Sequence, residues 1–180
     1  MMVSEDSVIV PLSRRTALKR DWDEICSYLV NRLSLDCMYN TKEHKIHFRT
    51  NEETEETNAM QKSRNYIDAY MQGFRLVDCV AFLRLDNIIV ESFNVNDAKA
   101  VLKGANQSRA IGRICGVNGD IKNQIMDCTR TRIVVAGKKI HILGTPANNA
   151  VARRAMSQLI IGTKPGKIIT NLQTYKERQV

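Results

Sequence analysis

Paired cysteines are missing from this sequence: its five thiols, at positions 26, 37, 79, 115 and 128, are odd in number and include no Cys-x-x-Cys. A disulfide framework is thereby excluded, and reduced thiols in a cytosolic or nuclear protein are expected. Long apolar runs are missing too. No stretch approaches the length that crosses a bilayer, and Glu5 and Asp6 stand where a secretory leader would carry basic residues. No membrane partner is expected, and the sequon Asn106-Gln107-Ser108 reads as a chance match. Catalytic and metal-binding constellations are equally scarce. Gly162-Thr163-Lys164-Pro165-Gly166-Lys167-Ile168 is one residue short of a phosphate loop and has Ile168 where a metal-binding hydroxyl is needed. Cys37, His44 and His47 surround one hairpin, but the odd spacing of the two histidines sends them to opposite faces of a strand. His141 alternates with Ile140 and Ile142 and is expected to face solvent or a partner, with no Cys or Ser placed in sequence to form a nucleophile pair. No catalytic residue, metal site or cofactor is expected.

What the chain does have is charge, unevenly spread. Lys and Arg number 27 against 19 Asp and Glu, a net charge of +8. From Met1 to Asp86 there are 12 basic and 14 acidic residues, net −2, and from Asn87 to Val180 there are 15 and 5, net +10. The basic excess belongs to the second half, and a polyanion partner for that half follows. In the first half, Glu52-Glu53-Thr54-Glu55-Glu56 reads as a solvated loop, an acidic dock for a basic partner being the other reading. With 180 residues and 43% hydrophobic content, the chain has room for two compact modules of about 80 residues each.

Periodicity divides the first half into a helix, a hairpin and two more helices. Asp21 is placed to cap a helix on which Trp22, Ile25, Cys26, Leu29 and Leu33 recur at helical spacing. Cys37 to Tyr39 and Lys45 to Thr50 flank the turn Asn40-Thr41-Lys42-Glu43 as paired strands, Ile46 and Phe48 alternating with polar neighbours. Polar residues Asn51 to Asn58 lead into a helix bearing Met60, Ile67, Tyr70, Met71 and Phe74, with Gly73 ending or bending it. Leu76 to Leu85 reads as one further apolar helix able to pack between modules.

The second half repeats helix and hairpin with a strand in front. Ile88 to Val90 and Phe93 to Val95 form a β-rich run, Ser108 to Cys115 a short helix and Asp120 to Cys128 another. Arg132 to Ala136 and Lys139 to Leu143 flank Gly137-Lys138 as a hairpin. Thr145 caps a last helix with Pro146 in its first turn, Val151, Ala155 and Leu159 along one stripe and Gly162 at its end. Between the two short helices stands Gly116-Val117-Asn118-Gly119. Such a turn has no side chains at its ends, so a nucleic-acid backbone can approach closely while the next helix offers unpaired N–H groups to a phosphate. The order β-α-α-β-β-α around this turn resembles a eukaryotic-type KH domain. The fold class expected is α+β, with tandem KH-type domains in which antiparallel sheets pack against helices. Residues 8–85 are read as a degenerate KH-like domain without Gly-x-x-Gly, 86–163 as the KH domain, and 164–180 as a basic C-terminal tail.

Six blocks of residues carry a closer resemblance. Leu83-Arg84-Leu85-Asp86, Glu91-Ser92-Phe93, Leu102-Lys103-Gly104, Ser108 to Ile114, Thr129 to Val134 and Ile140 to Gly144 are similar, in order, to the signature of the Partner-of-Nob-one family, also called Dim-two. The resemblance covers roughly Pro11 to Tyr175 and is weaker in the first module. It implies a non-enzymatic assembly factor of the small ribosomal subunit whose second KH domain binds RNA. It further implies, as partners, precursor small-subunit ribosomal RNA near its 3′ end, the Nob-one endonuclease, the Dim-one dimethylase and the pre-small-subunit particle. Localisation in the nucleolus and nucleus, with shuttling to the cytoplasm, is part of the same expectation.

The turn itself departs from the family pattern, which resembles Gly-Lys-Gly-Gly-Lys. Here the residues are Gly116, Val117, Asn118, Gly119 and Asp120, so two lysines are missing and a carboxylate is added. Asp120 is expected to cap the second helix. Compensating contacts to RNA are assigned to Arg109, Arg113, Lys122, Arg130 and Arg132, each otherwise an ordinary solvated charge. Of Ile111, Ile114, Ile125 and Ile133, candidates for an apolar floor beneath the bases, only Ile114 is kept with the turn, because isoleucines at helical spacing are usually core. Two functional readings stay open: an RNA-binding assembly factor, and a protein-interaction scaffold whose RNA site has weakened.

Overall fold

The computed structural model describes residues 3–98, 102 and 104–179. The chain divides into two compact units, Met1–Asp86 and Asn87–Val180. Each is built on a three-stranded antiparallel sheet with helices packed against it.

In the first unit the strands β1 (Glu5–Ile9), β2 (Leu35–Asn40) and β3 (Lys45–Thr50) lie in the order β1-β3-β2. β1 lies ahead of the expected elements, because only Val8 of its five residues is buried and no alternation announces it. What fixes it is distant in sequence: it pairs with β3 from Glu5↔Arg49 to Ile9↔Lys45, and Arg64 holds Asp6 at 2.6 and 2.8 Å. Helix α1 (Arg15–Leu33) begins six residues before Asp21. Asp21 therefore caps nothing. Its carboxylate accepts from Arg20 Nε and Tyr70 Oη, both at 2.7 Å, and those two bonds hold its pKa at about 2. α1 contains neither glycine nor proline and runs unbroken for 19 residues, in the place where the second unit has a helix, a turn and a helix. Helix α2 (Ala59–Gln72) stops at Gly73, whose φ of 107° suits glycine alone. Leu76 to Leu85, expected as one helix between modules, is two short helices, α3 (Leu76–Cys79) and α4 (Ala81–Arg84), both lying against α2 inside their own unit.

Cys37, His44 and His47 go to three different partners: Cys26 Sγ at 2.6 Å, Tyr39 Oη at 3.4 Å and Glu5 at 3.7 Å. Among the described residues no group of three His, Cys, Asp or Glu is placed to hold a metal, and no helix is long and apolar enough to cross a membrane.

The second unit runs β4 (Ile89–Asn94), α5 (Val95–Ala98), α6 (Ala105–Cys115), α7 (Asp120–Thr129), β5 (Arg132–Ala136), β6 (Lys139–Gly144), α8 (Pro146–Ile161) and α9 (Pro165–Glu177). Its sheet order is β4-β6-β5. The expected β-α-α-β-β-α order is present, with α5 and α9 added. Lys103, in the block Leu102-Lys103-Gly104, lies outside the described residues. Ile140 and Ile142 on β6, Phe93 on β4 and Ile133 on β5 close one core with Ile114, Ile125, Met156 and Leu159. Thr145 Oγ1 accepts from Asn148 N–H at 3.4 Å, and Pro146 takes the first helical position of α8. One turn on, the buried Asn149 donates its amide to the carbonyls of Ile89 (3.2 Å), Ile142 (3.5 Å) and Gly144 (3.4 Å), tying α8 to two strands.

Two expectations are narrowed or overturned here. Of the two surroundings expected for His141, solvent is excluded: it is buried on the central strand β6 with its Nδ1 2.6 Å from Ser92 Oγ, and burial holds its pKa below the ordinary value. Residues 165–177, within the expected basic tail, form α9, which buries Ile168 and Leu172 in the core and packs on α7 and α8. The pair stands at i and i+4, one stripe on one face. A few apolar residues among many polar ones announce a tail until something is there to receive them.

Candidate nucleic-acid interface

α6 ends at Gly116, whose N–H donates to Gly112 O at 2.9 Å. Gly116 takes φ 73° and ψ −173°, and a Cβ built on it would stand 2.7 Å from Ile121 Cγ1 and 2.9 Å from Ile121 N. Both the backbone angle and the space therefore require glycine. Val117 and Asn118 form a single tight turn; Asn118 has φ 53°, a left-handed conformation that asparagine tolerates, and Val117 is 81% exposed. Gly119, at φ 80°, occupies the N-cap position of α7.

No side chain caps α7. Asp120 is already its first helical residue, one position too late to reach back, and its carboxylate instead accepts from Gln124 Nε2 at 2.8 Å. This corrects the expected capping role. The N–H of Asp120 donates to Val117 O within the turn, so backbone and not a side chain closes the start of α7, with the partial positive charge of the helix dipole behind it. Removing the carboxylate and adding a cation, Asp120→Lys, is expected to tighten single-stranded RNA binding about tenfold near 0.15 M salt. Fluorescence anisotropy reads this directly, and unchanged affinity would show that the turn does not meet the backbone.

Around this opening the structure gathers part of the expected basic set. Arg109 and Arg113 are exposed one turn apart on α6, and Lys122 is half-buried in the first turn of α7. Arg130 and Arg132 are not with them. Arg130 closes α7 in a left-handed conformation, and Arg132 opens β5 and donates to Thr131 O at 3.1 Å. The whole of α7, about 15 Å long, separates that pair from the turn. Ile114 is also removed from the interface: it is fully buried in the core, as are Ile125 and Ile133 nearly so, while Ile111 is half-buried. A residue two before the turn points inward because α6 must seal the core before the chain leaves it.

Ion pairs occur in both units, Arg153 with Glu91 in the second. In the first unit Arg20, Lys45, Arg49, Lys62, Arg64 and Arg75 all reach a carboxylate. Among the described residues, Arg109, Arg113, Lys122 and Arg130 form no ion pair. One contact of Arg113 lay beyond the reach of sequence reading: its Nη1 is 3.6 Å from where a Cβ of Gly162 would be. It joins residues 49 apart in the chain, and no local pattern signals it.

Residues 92–177 match the model of a eukaryotic type KH domain (KH domain type I), the second of its kind in the Partner-of-Nob-one proteins. An RNA-binding protein pno1 from Dictyostelium discoideum is 44% identical over 171 residues, covering 95% of this chain and 71% of the relative. A pre-rRNA-processing protein pno1 from Aspergillus oryzae is 42% identical, covering 98% and 68%. Among solved structures, Dim2p from Pyrococcus horikoshii shares the fold with a TM-score of 0.77 at 23% identity, covering 97% of this chain and 99% of that one. The same archaeal protein in a complex with a/eIF2alpha and rRNA gives a TM-score of 0.79 at 23% identity, covering 99% and 97%. With relatives this similar over nearly its whole length, the chain belongs to the pno1 family, the Partner-of-Nob-one proteins.

Proposed function

We propose that this protein is an RNA-binding pre-rRNA-processing factor that takes precursor small-subunit ribosomal RNA near its 3′ end. The observation that carries the reading is the Gly116–Gly119 turn, which delivers a helix end without a side-chain cap between unpaired cations on α6 and α7. A KH domain uses these parts to clamp a short single-stranded segment by its backbone. The names of the relatives, RNA-binding protein and pre-rRNA-processing protein, support it. On the pre-small-subunit particle the protein would position the RNA for the Nob-one endonuclease and work beside the Dim-one dimethylase, in the nucleolus and nucleus with passage to the cytoplasm.

The turn offers a clean test because its middle residues can be changed without disturbing its backbone conformation. Val117 is exposed and Asn118 sits where aspartate is tolerated. Val117→Asp with Asn118→Asp is expected to leave thermal unfolding unchanged and to lower affinity for a single-stranded copy of the small-subunit 3′ end about a hundredfold near 0.1 M salt. Full affinity in this variant would remove the turn from the site. A second reading, a protein scaffold with a weakened RNA site, is favoured by the missing turn lysines and by Asp120. Capture of the nuclease by a protein that fails to shift RNA would decide for it.

A further inference from the structure

The corner between α8 and α9 carries a basic feature that the turn does not use. α8 closes at Gly162, φ 117°, where the N–H groups of Gly162 and Thr163 donate to Gln158 O at 3.1 and 3.0 Å. Arg113 Nη1 lies 3.6 Å from the Cβ position of Gly162, so this corner sits against the arginine that precedes Gly116 by three residues. Lys164 follows at the N-cap position of α9, and two residues of chain reach at most about 7 Å. Lys167 lies in the first turn of α9, and both lysines are exposed. Among the described residues neither forms an ion pair. The one acid in α9, Glu177, is at its opposite end, about 18 Å along the helix axis from the start.

Three cations from two distant segments therefore come together beside the turn, and among the described residues none of them forms an ion pair. Thr163 to Lys167 is also the stretch that fails as a phosphate loop by spacing and by its missing hydroxyl, which leaves its lysines without a nucleotide to hold. We infer that the α8–α9 corner is a second contact for the RNA backbone: Lys164 and Lys167 take phosphates beyond the segment clamped at Gly116–Gly119, with Arg113 bridging the two places. This rests on the RNA-binding reading above. The ligand class is a single-stranded RNA longer than the roughly four nucleotides that one KH turn clamps.

The test compares Lys164→Gln with Lys167→Gln against the turn variant Val117→Asp with Asn118→Asp. The probes are two labelled single-stranded RNAs copying the small-subunit 3′ end, of about 12 and about 4 nucleotides. Losing two phosphate contacts should reduce the slope of log affinity against log salt by about 1.4 on the longer RNA, and weaken its binding about tenfold near 0.15 M salt. The shorter RNA should bind as before. An unchanged slope on the longer RNA overturns the corner while leaving the turn intact; equal loss on both RNAs overturns it as a separate contact. Binding that survives the turn variant but fails in the lysine variant overturns the turn, and with it the corner's place as a second contact. A full-length protein that binds neither RNA at low salt overturns both readings.

Discussion

Arg113→Glu combined with Lys122→Glu is expected to lower affinity for single-stranded RNA several hundredfold near 0.1 M salt. The change replaces two attractive contacts with two repulsive ones, four charges in all, and at about 0.7 per charge the salt slope should fall by roughly 2.8. Stability changes are small and partly offset, because Lys122→Glu acts in the opposite sense to Arg113→Glu, a change that also falls in the last turn of α6. Arg113 rests at the C-terminal end of α8, beside Gly162, and an anion there meets the negative end of the helix dipole at a cost of about 0.3–1 kcal/mol. Lys122 stands in the first turn of α7, where an anion gains a similar amount from the positive end. Titration of affinity against salt, with thermal unfolding beside it, separates binding from folding. Retained affinity would sink the assignment of both residues.

The second large effect concerns the fold. Ile168→Ala with Leu172→Ala is expected to unfold the second unit or bring it to the edge of unfolding. Both side chains are buried, at 2% and 4% exposure, against α7 and α8. Each truncation of this kind costs about 2–5 kcal/mol, and a whole domain is stable by only about 5–15 kcal/mol. Urea unfolding followed by circular dichroism should show the loss as an early transition. A solvated tail would give no change at all. Because α9 braces the helix that leaves the turn, RNA binding should fall together with folding in this variant, unlike in the charge variants.

The legible parts of this molecule are those decided by neighbours in the chain. Thr145, Pro146 and Gly162 bracket α8 because caps and breakers act within a few residues. Gly137-Lys138 marks its hairpin, and Gly116 and Gly119 mark the turn, for the same reason. The illegible parts depend on what arrives from elsewhere. β1 exists because β3 and Arg64 receive it, and α9 because α7 and α8 do. Asp21 has the chemistry of a cap, yet Tyr70, 49 residues away, takes its carboxylate. Asp120 fails as a cap by a single position, which spacing alone cannot resolve when Gly119 beside it fills that position. Ile114 was placed with the ligand by its nearness to the turn, whereas the direction of its side chain follows from the face α6 buries. The basic set is half legible: composition assigns it to the second half of the chain, but the length of α7 divides it in two.

Gly116 and Gly119 owe their identity to the protein, one to the crowding of Ile121 and both to backbone angles that other residues resist. Asn118 sits at φ 53°, which few residues but glycine and asparagine tolerate, whereas exposed Val117 owes its identity to nothing inside the protein. Mutational drift in a lineage is thus sorted within four consecutive positions: 116, 118 and 119 are policed by backbone angle, and 117 only by what the molecule must hold. A lineage can exchange the lysine of the family pattern for valine at 117, retune its grip, and inherit an unaltered scaffold.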